Sequence, residues 1–296
     1  MDTQPRSAPR KGPADPRSAR EAAAPGIPPR DAGVPAAAAP DAVVREAMSP
    51  EEARARDQVF ADKRGKIEDF DFGRDTAAVF DDMLDRSVPH YRVIQEMVAE
   101  LACDFAQPGT AVVDLGCSTA TSIVALDRLI PADLDVRFVG VDSSEEMLAK
   151  ARAKLDERKV RRPVELLCAD LNKSLPLEGV SVALLVLTLQ FVRPLQRERL
   201  LHDVRRGLVD GGCVIMVEKV LGDTPLFNRL WIDHYYKLKE RNGYTRLEIA
   251  QKREALENVL IPYRLDENRE LLARCGFSQA DTFFKWYNFC GIVAST

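Results

Sequence analysis

The hydrophobic pattern beyond residue 70 alternates between short apolar runs and longer amphipathic stretches. Five runs that are apolar almost throughout predict buried strands, at residues 111–115, 137–141, 164–168, 180–187 and 213–217. Apolar residues at three- and four-residue spacing predict helices at 75–83, 91–105, 120–129, 143–159 and 196–208, the last closed by the glycine pair Gly211-Gly212. This alternation predicts an α/β protein with a parallel sheet covered by helices on both faces.

The C-terminal third has a different rhythm. Three helices are predicted at 227–240, 246–259 and 267–275, which places a helical insertion at about 222–275. Two strands follow, at 283–286 and 289–294, with a turn near Asn288. A connection this short requires antiparallel pairing. The predicted sheet is therefore mostly parallel and seven-stranded, Rossmann-like, and ends in an antiparallel hairpin.

Residues 1–55 differ in composition from the rest of the chain. They are rich in Ala, Pro, Arg and Gly and contain almost no aromatic or large aliphatic residues. Such a segment buries too little apolar surface to offset the entropy of ordering, so a disordered tail is predicted before a domain at 56–296. A targeting peptide is the competing interpretation. The absence of a continuous apolar core and the presence of acidic residues argue against it.

Composition and charge narrow the classes of function. The net charge is −4 and no apolar run approaches the ~20 residues that span a bilayer, so neither direct nucleic-acid binding nor a membrane partner is expected. The six cysteines form no C-x-x-C pair, and the three histidines do not cluster with them. We expect reduced, buried thiols in a cytoplasmic protein, and no metal site.

The turn after the first predicted strand carries the first candidate chemistry. Gly116 follows Asp114 and allows a sharp turn with close approach of a ligand to the main chain. The next helix presents free N–H groups there. The second and third glycines of the dinucleotide fingerprint are missing, which disfavours NAD. The pattern favours another nucleotide-type ligand.

Two further acidic residues follow the second and third strands. Asp142 ends the second strand, where a carboxylate can accept both hydroxyls of a ribose, and Asp170 follows the third, where an adenine edge would lie. The alternative is that each acid only caps a following helix. Ser143 or Ser144 can also cap the helix that begins there.

Several segments resemble a known family. VVDLGCS, GVDSS and the glycine pair resemble the class I S-adenosylmethionine-dependent methyltransferase fold. From about residue 70 the chain more specifically resembles the carboxy-S-adenosyl-L-methionine synthases, on the stretches VFDDMLDRSVPHY (79–91), DLGCS (114–118), LTLQF (187–191), RNGYTRLEIAQKREALENVL (241–260) and WYNFCGIVA (286–294). RSVPHY and NGYTRLEIAQKR distinguish this family from the superfamily.

The resemblance implies a reaction other than methyl transfer. Such enzymes take S-adenosyl-L-methionine and prephenate and release carboxy-S-adenosyl-L-methionine and phenylpyruvate. The carboxylated product feeds modification of a wobble uridine (cmo5U34) in transfer RNA. A homodimer is implied, in which an arginine reaches the site from the neighbouring subunit. An arginine suits this role because its two parallel donors match a carboxylate.

The resemblance also implies roles for individual residues. Tyr91 and Arg253 match the positions that hold the carboxylated ligand, and are the catalytic candidates. The cofactor-binding candidates are Tyr91, Gly116, Cys117, Ser118, Asp142, Ser143, Asp170, Leu171 and Arg253. Of these, Gly116 to Ser118 match the main-chain turn, Asp142 and Ser143 the ribose position, and Asp170 and Leu171 the adenine position.

One residue departs from the family pattern, and alternatives stay open. Val186 stands where the family has an asparagine, so a hydrogen bond to the cofactor is lost. Arg253 could instead belong to a solvated charged face, and Tyr91 could only anchor its helix to the core. An ordinary methyltransferase acting on a small molecule or RNA, or a non-enzymatic S-adenosylmethionine-binding protein, would fit those alternatives.

Overall fold

The helices and strands follow one another largely as the hydrophobic pattern predicts. The structure is a computed structural model that describes residues 56–63 and 66–296, so the predicted tail at 1–55 lies outside the described residues. In chain order the elements are α1 (Arg74–Ser87), α2 (Tyr91–Phe105), β1 (Thr110–Leu115), α3 (Thr121–Leu129), β2 (Val136–Asp142), α4 (Glu145–Glu157), β3 (Val164–Cys168), β4 (Val180–Val186), α5 (Pro194–Gly207), β5 (Leu208–Leu221), α6 (Pro225–Arg241), α7 (Arg246–Leu256), β6 (Tyr263–Arg264), α8 (Leu265–Arg274), β7 (Gln279–Trp286) and β8 (Phe289–Ser295).

The sheet has the order β3-β2-β1-β4-β5-β8-β7. Strands β1 to β5 are parallel, and β8 pairs antiparallel with both β5 and β7, which confirms the predicted parallel sheet with a C-terminal hairpin. The predicted count of seven strands is short by one, because β6 pairs with the end of β5. Two residues are too few to produce a hydrophobic period.

The glycine pair does not close the fifth helix, as the sequence had indicated. Helix α5 ends at Gly207, and β5 begins at Leu208. Val180 of β4 pairs with Leu208 and Val182 pairs with Cys213, so the residues between them form an irregularity in β5. Gly211 has φ +72°, a left-handed conformation that glycine adopts at little cost.

The core forms two layers, one on each face of the sheet. Leu184 and Ile215 pack in the layer that contains α2, α3 and α4, whereas their neighbours Leu185 and Met216 pack in the layer that contains α5 and α8. All four side chains are fully buried. Alternate residues of a strand point to opposite faces, so continuous apolar runs are required. Packing on both faces of the sheet therefore holds the strands, and the residues at their ends, in fixed positions.

The cysteines are only partly as expected. All six are free thiols, but the prediction that they are buried holds only for Cys117, Cys213, Cys275 and Cys290. Cys103 is partly exposed and Cys168 is exposed. Among the described helices, none is long and apolar enough to cross a membrane.

Candidate active site

A cavity of about 370 Å³ opens at the carboxyl ends of β1, β2 and β4. Here the strand order reverses, because the chain moves outward from β1 to β3 and then returns to β4 on the other side of β1. Such crevices are the ligand sites of open α/β sheets. Side chains of α1, α2, α6 and α7 form much of the remaining wall. The volume suits a nucleoside-sized ligand.

The turn from β1 into α3 has an unusual backbone. Gly116 has φ +79°, and a Cβ atom at this position would lie 2.5 Å from the side chain of Thr188. Ser118 and Ala120, which are not glycines, also have positive φ, at 48° and 62°. Strained residues of this kind persist where the surrounding structure holds them, often at functional sites. The predicted glycine turn is therefore present and lines the cavity.

Asp142 ends β2 and connects two loops of the cavity. Its Oδ2 accepts the backbone N–H of Ser118 and its Oδ1 that of Ser144, both at 2.9 Å. Burial raises the pKa of Asp142, and these N–H donors oppose the rise. The cap of α4 is Ser144, whose Oγ accepts the N–H of Met147 at 3.1 Å. Because each carboxylate oxygen has two lone pairs, Asp142 keeps acceptor capacity for ligand hydroxyls.

Asp170 lies two residues beyond β3 and also lines the cavity. Its Oδ1 accepts the backbone N–H and the side-chain Nδ2 of Asn172, both at 2.9 Å. These hydrogen bonds hold the pKa of Asp170 below its usual value. The neighbouring Leu171 is buried and contributes apolar surface to the same wall. An ionised acceptor beside an apolar surface suits the edge and face of an adenine.

The third strand-end acid, Asp114, lies behind the cavity rather than on its wall. It is only 2% exposed, and its Oδ2 has no hydrogen-bond partner in the described part of the chain. Burial, together with the nearby Asp142, raises the pKa of Asp114 to about 7. Asp142 and Asp170 are therefore the strand-end acids that line the cavity.

Tyr91 begins α2 and is buried against the cavity. Its hydroxyl is hydrogen-bonded to Thr121, and burial together with Asp81 and Asp85 raises its pKa. The phenol therefore keeps its proton at neutral pH and can donate a hydrogen bond.

Arg253 lies on α7 with an exposed side chain at the cavity of its own chain. A hydrogen bond with Tyr236 and the nearby Glu257 and Glu254 raise its pKa, so the guanidinium is permanently charged. One chain therefore brings every predicted site residue to one cavity, without a second subunit. Val186, at the position of the family asparagine, also lines it.

Sequence reasoning missed several polar residues of the cavity wall. They are Gln95 of α2, Lys219 of β5, Lys239 of α6 and Lys252 of α7. Lys252 adjoins Arg253 within the stretch RNGYTRLEIAQKREALENVL, and Gln95 follows Tyr91 by one helical turn, so the sequence carries a signal for these two.

Comparison with known proteins agrees with this architecture. A family model described as a methyltransferase domain matches residues 112–212. The solved structure of the S-adenosylmethionine-dependent methyltransferase SibL in its apo form aligns with TM-score 0.51 at 20% identity, over 74% of this chain and 57% of that one. An O-methyltransferase family protein from Burkholderia thailandensis aligns with TM-score 0.52 at 16% identity, over 76% and 61%. At these identities the likeness shows the fold.

Similarity to curated proteins is much higher. The carboxy-S-adenosyl-L-methionine synthase of Methylococcus capsulatus is 55% identical over 240 residues, which is 81% of this chain and 99% of that protein. The protein of the same name from Desulforapulum autotrophicum is 41% identical over 81% and 96%. The chain belongs to the family of carboxy-S-adenosyl-L-methionine synthases, enzymes with the class I methyltransferase fold.

Proposed function

We propose that the protein converts S-adenosyl-L-methionine and prephenate to carboxy-S-adenosyl-L-methionine and phenylpyruvate. The observation that carries the proposal is that one cavity contains both the acidic strand ends, Asp142 and Asp170, and the cationic Arg253. Binding of a methyl donor requires only the acidic strand ends. A ligand with a carboxylate beside its positive sulfur also requires a cation, which Arg253 supplies.

The residues at the strand ends fit S-adenosyl-L-methionine. Asp142 would accept the ribose hydroxyls with the lone pairs that Ser118 and Ser144 leave open. The main chain of the turn at Gly116 would approach the amino-acid part of the ligand, and Asp170 with Leu171 would hold the adenine. Bound in this way, S-adenosyl-L-methionine supplies a methyl group that its sulfonium makes acidic.

Arg253 and Tyr91 would hold the new carboxylate. A guanidinium offers two parallel N–H donors to a carboxylate, and the neutral phenol of Tyr91 offers one more. The positive charge of Arg253 lies on a helix that follows the methyltransferase core, so it adds to the ligand site without replacing any part of it.

Atom balance defines what the cavity must accommodate. The bond between the ring and its carboxylate breaks in prephenate, and a carbon–carbon bond forms to the methyl carbon. The methyl proton and the ring hydroxyl combine to form water. The rest of the prephenate molecule is then phenylpyruvate. Carbon dioxide in transit must not escape, and bulk water must not supply protons in its place.

An aromatic wall suits this requirement. It consists of Phe70, Phe72, Phe80 and Phe191, which all line the cavity. The ring of Phe72 lies 5.1 Å from that of Phe70 and 5.2 Å from that of Phe191, centroid to centroid, in edge-to-face contacts. Rings packed at this distance leave no room for water between them.

The test follows the carboxyl carbon. Purified protein is incubated with S-adenosyl-L-methionine and prephenate carrying ¹³C in its ring carboxylate, and the products are separated and weighed by mass spectrometry. The label should appear in a carboxylated sulfonium product. With ¹³C in the side-chain carboxylate instead, the label should stay in phenylpyruvate. Loss of the methyl group to an acceptor would instead indicate a methyltransferase, and no reaction would indicate a binding protein.

We further propose that the enzyme works in the cytoplasm, as a homodimer, upstream of wobble-uridine modification. The family resemblance and the free thiols support this setting. Deleting the gene should remove cmo5U34 from transfer RNA, measured by nucleoside mass spectrometry.

The homodimer is tested by light scattering, which measures the mass of the protein in solution. A mixture of Arg253→Ala and Asp142→Ala subunits should regain activity only if the arginine acts across a subunit interface.

A further inference from the structure

A group of three lysines lines the cavity around two tyrosine rings. Nζ of Lys219 and Nζ of Lys239 each lie 4.9 Å from the ring centroid of Tyr235. Nζ of Lys252 lies 5.5 Å from the ring of Tyr244, and Nζ of Lys239 lies 5.9 Å from the same ring. Lys239 and Lys252 are only 5% and 6% exposed. Buried ammonium groups are costly unless an anion or a ring faces them.

The protein supplies too few carboxylates for these ammonium groups. Lys252 pairs with Asp57 at 3.5 Å, and the hydroxyl of Tyr244 donates to the same carboxylate at 2.5 Å. The adjacent Arg86 pairs with Asp82 at 3.2 Å. Within residues 56–63 and 66–296, no ion pair or hydrogen bond involves the ammonium group of Lys219 or Lys239.

The pKa values of the lysines reflect this deficit. Burial lowers the pKa of Lys219 and of Lys252 to about 8. Burial also lowers the pKa of Lys239 well below its usual value, and repulsion from Lys252 and Lys219 adds to the effect while Asp57 opposes it. A bound anion would remove much of this penalty.

A neutral polar group of the same cavity also lacks a partner. Gln95 is 6% exposed, and neither its Nε2 nor its Oε1 has a hydrogen-bond partner in the described structure. It lies one turn after Tyr91 on α2 and lines the cavity. A buried amide without partners has lost its hydrogen bonds to water and gained none in return, so a ligand that bonds to it would gain affinity.

We propose that Lys219, Lys239 and Gln95 form the subsite for the carboxylate that prephenate retains when it becomes phenylpyruvate. This assignment rests on the proposed function. The two carboxylates of prephenate have opposite needs. Contact with ammonium groups stabilises a carboxylate and opposes its departure as carbon dioxide, so these groups suit the carboxylate that stays. The amide of Gln95 can bond to the oxo group beside it.

Binding of phenylpyruvate tests the assignment, because this product carries only the retained carboxylate. Its dissociation constant, and that of prephenate, are measured by calorimetry for the native protein, Lys239→Met and Lys219→Met. Each variant should bind both compounds at least about tenfold more weakly, since a hydrogen bond to a charged group is worth that much. Lys237→Met is the matched control, because Lys237 is exposed on the same helix and should have no effect.

The outcomes separate the subsite from the proposed function. Unchanged binding of phenylpyruvate by Lys239→Met and Lys219→Met would overturn the subsite, even if label transfer from prephenate succeeds. A loss confined to prephenate would overturn it too, because the lysines would then hold the departing carboxylate. Lysine-dependent binding of phenylpyruvate without label transfer would support the subsite and refute the proposed function. Thermal unfolding checks each fold, and Lys219 on β5 serves if Lys239→Met unfolds.

Discussion

Replacing Arg253 by alanine should separate the binding of the two sulfonium ligands. A charge-assisted hydrogen bond is worth about 1.5–3 kcal/mol, or roughly 10- to 150-fold in a dissociation constant. The side chain of Arg253 is exposed, so solvent screening favours the lower part of this range. We expect carboxy-S-adenosyl-L-methionine to bind about 10- to 30-fold more weakly. S-adenosyl-L-methionine, which lacks the carboxylate, should bind within about twofold of the native protein.

Two further variants test whether the loss of affinity comes from Arg253 itself and from the planar shape of its guanidinium. Arg253→Lys keeps the charge but loses the planar fork, and its affinity for the carboxylated ligand should be intermediate. Arg246→Ala is the matched control on the same helix. The Arg246 side chain is 91% exposed and pairs with Glu240 at 2.9 Å, away from the cavity wall. This variant should bind both ligands normally.

Equilibrium dialysis or calorimetry with each ligand gives the two dissociation constants. An equal loss of both ligands in Arg253→Ala would show that the arginine only supports the structure, for instance through its hydrogen bond with Tyr236. No loss of either would show that the carboxylate lies elsewhere in the cavity. Either result would refute the reasoning that assigns this arginine to the carboxylate.

Three other predictions concern the strand ends. Val186→Asn should restore a hydrogen bond and strengthen S-adenosyl-L-methionine binding about two- to tenfold in calorimetry. Gly116→Ala should lower the unfolding free energy by about 1–3 kcal/mol in urea titration and weaken ligand binding, because φ is +79° and the new Cβ would meet Thr188. The pKa of Asp114 is raised to about 7, so between pH 4 and 7 its carboxyl is protonated in the native state and ionised in the unfolded state. The free energy of unfolding therefore falls as the pH rises through this range. Asp114→Asn should therefore show a smaller fall than the native protein in urea titrations at pH 4.5 and 7.5.

Local patterns were sufficient for most of the fold. The predicted helix at 91–105 has the bounds that the structure gives to α2, because apolar spacing and the residues at both ends agree. The glycine turn at Gly116 could be predicted because positive φ is a requirement on residue type. The position of β6 could not, because its pairing with β5 depends on tertiary contact alone.

The lysines of the cavity show where sequence patterns fail. Lys239 lies in a helix rich in charged residues, where a solvated face is the ordinary interpretation. Its Nζ lies 4.9 Å from the ring of Tyr235 and 5.9 Å from the ring of Tyr244. The hydroxyl of Tyr244 in turn donates to Asp57, which lies 187 residues earlier in the sequence. No local period reports a contact of this range. Only the folded chain shows that these charges face inward.

The charged groups of the cavity separate largely according to the part of the fold that supplies them. Asp142 and Asp170 lie at strand ends of the parallel sheet that methyltransferases share, and the third acidic group of the wall, Glu257, follows α7. Most of its cationic groups, Lys239, Lys252 and Arg253, come from α6 and α7, after that sheet. A positive sulfonium is attracted to the first set and a carboxylate to the second. Addition of cationic helices to an existing S-adenosylmethionine site therefore accounts for binding of a second, anionic substrate without rebuilding the first site.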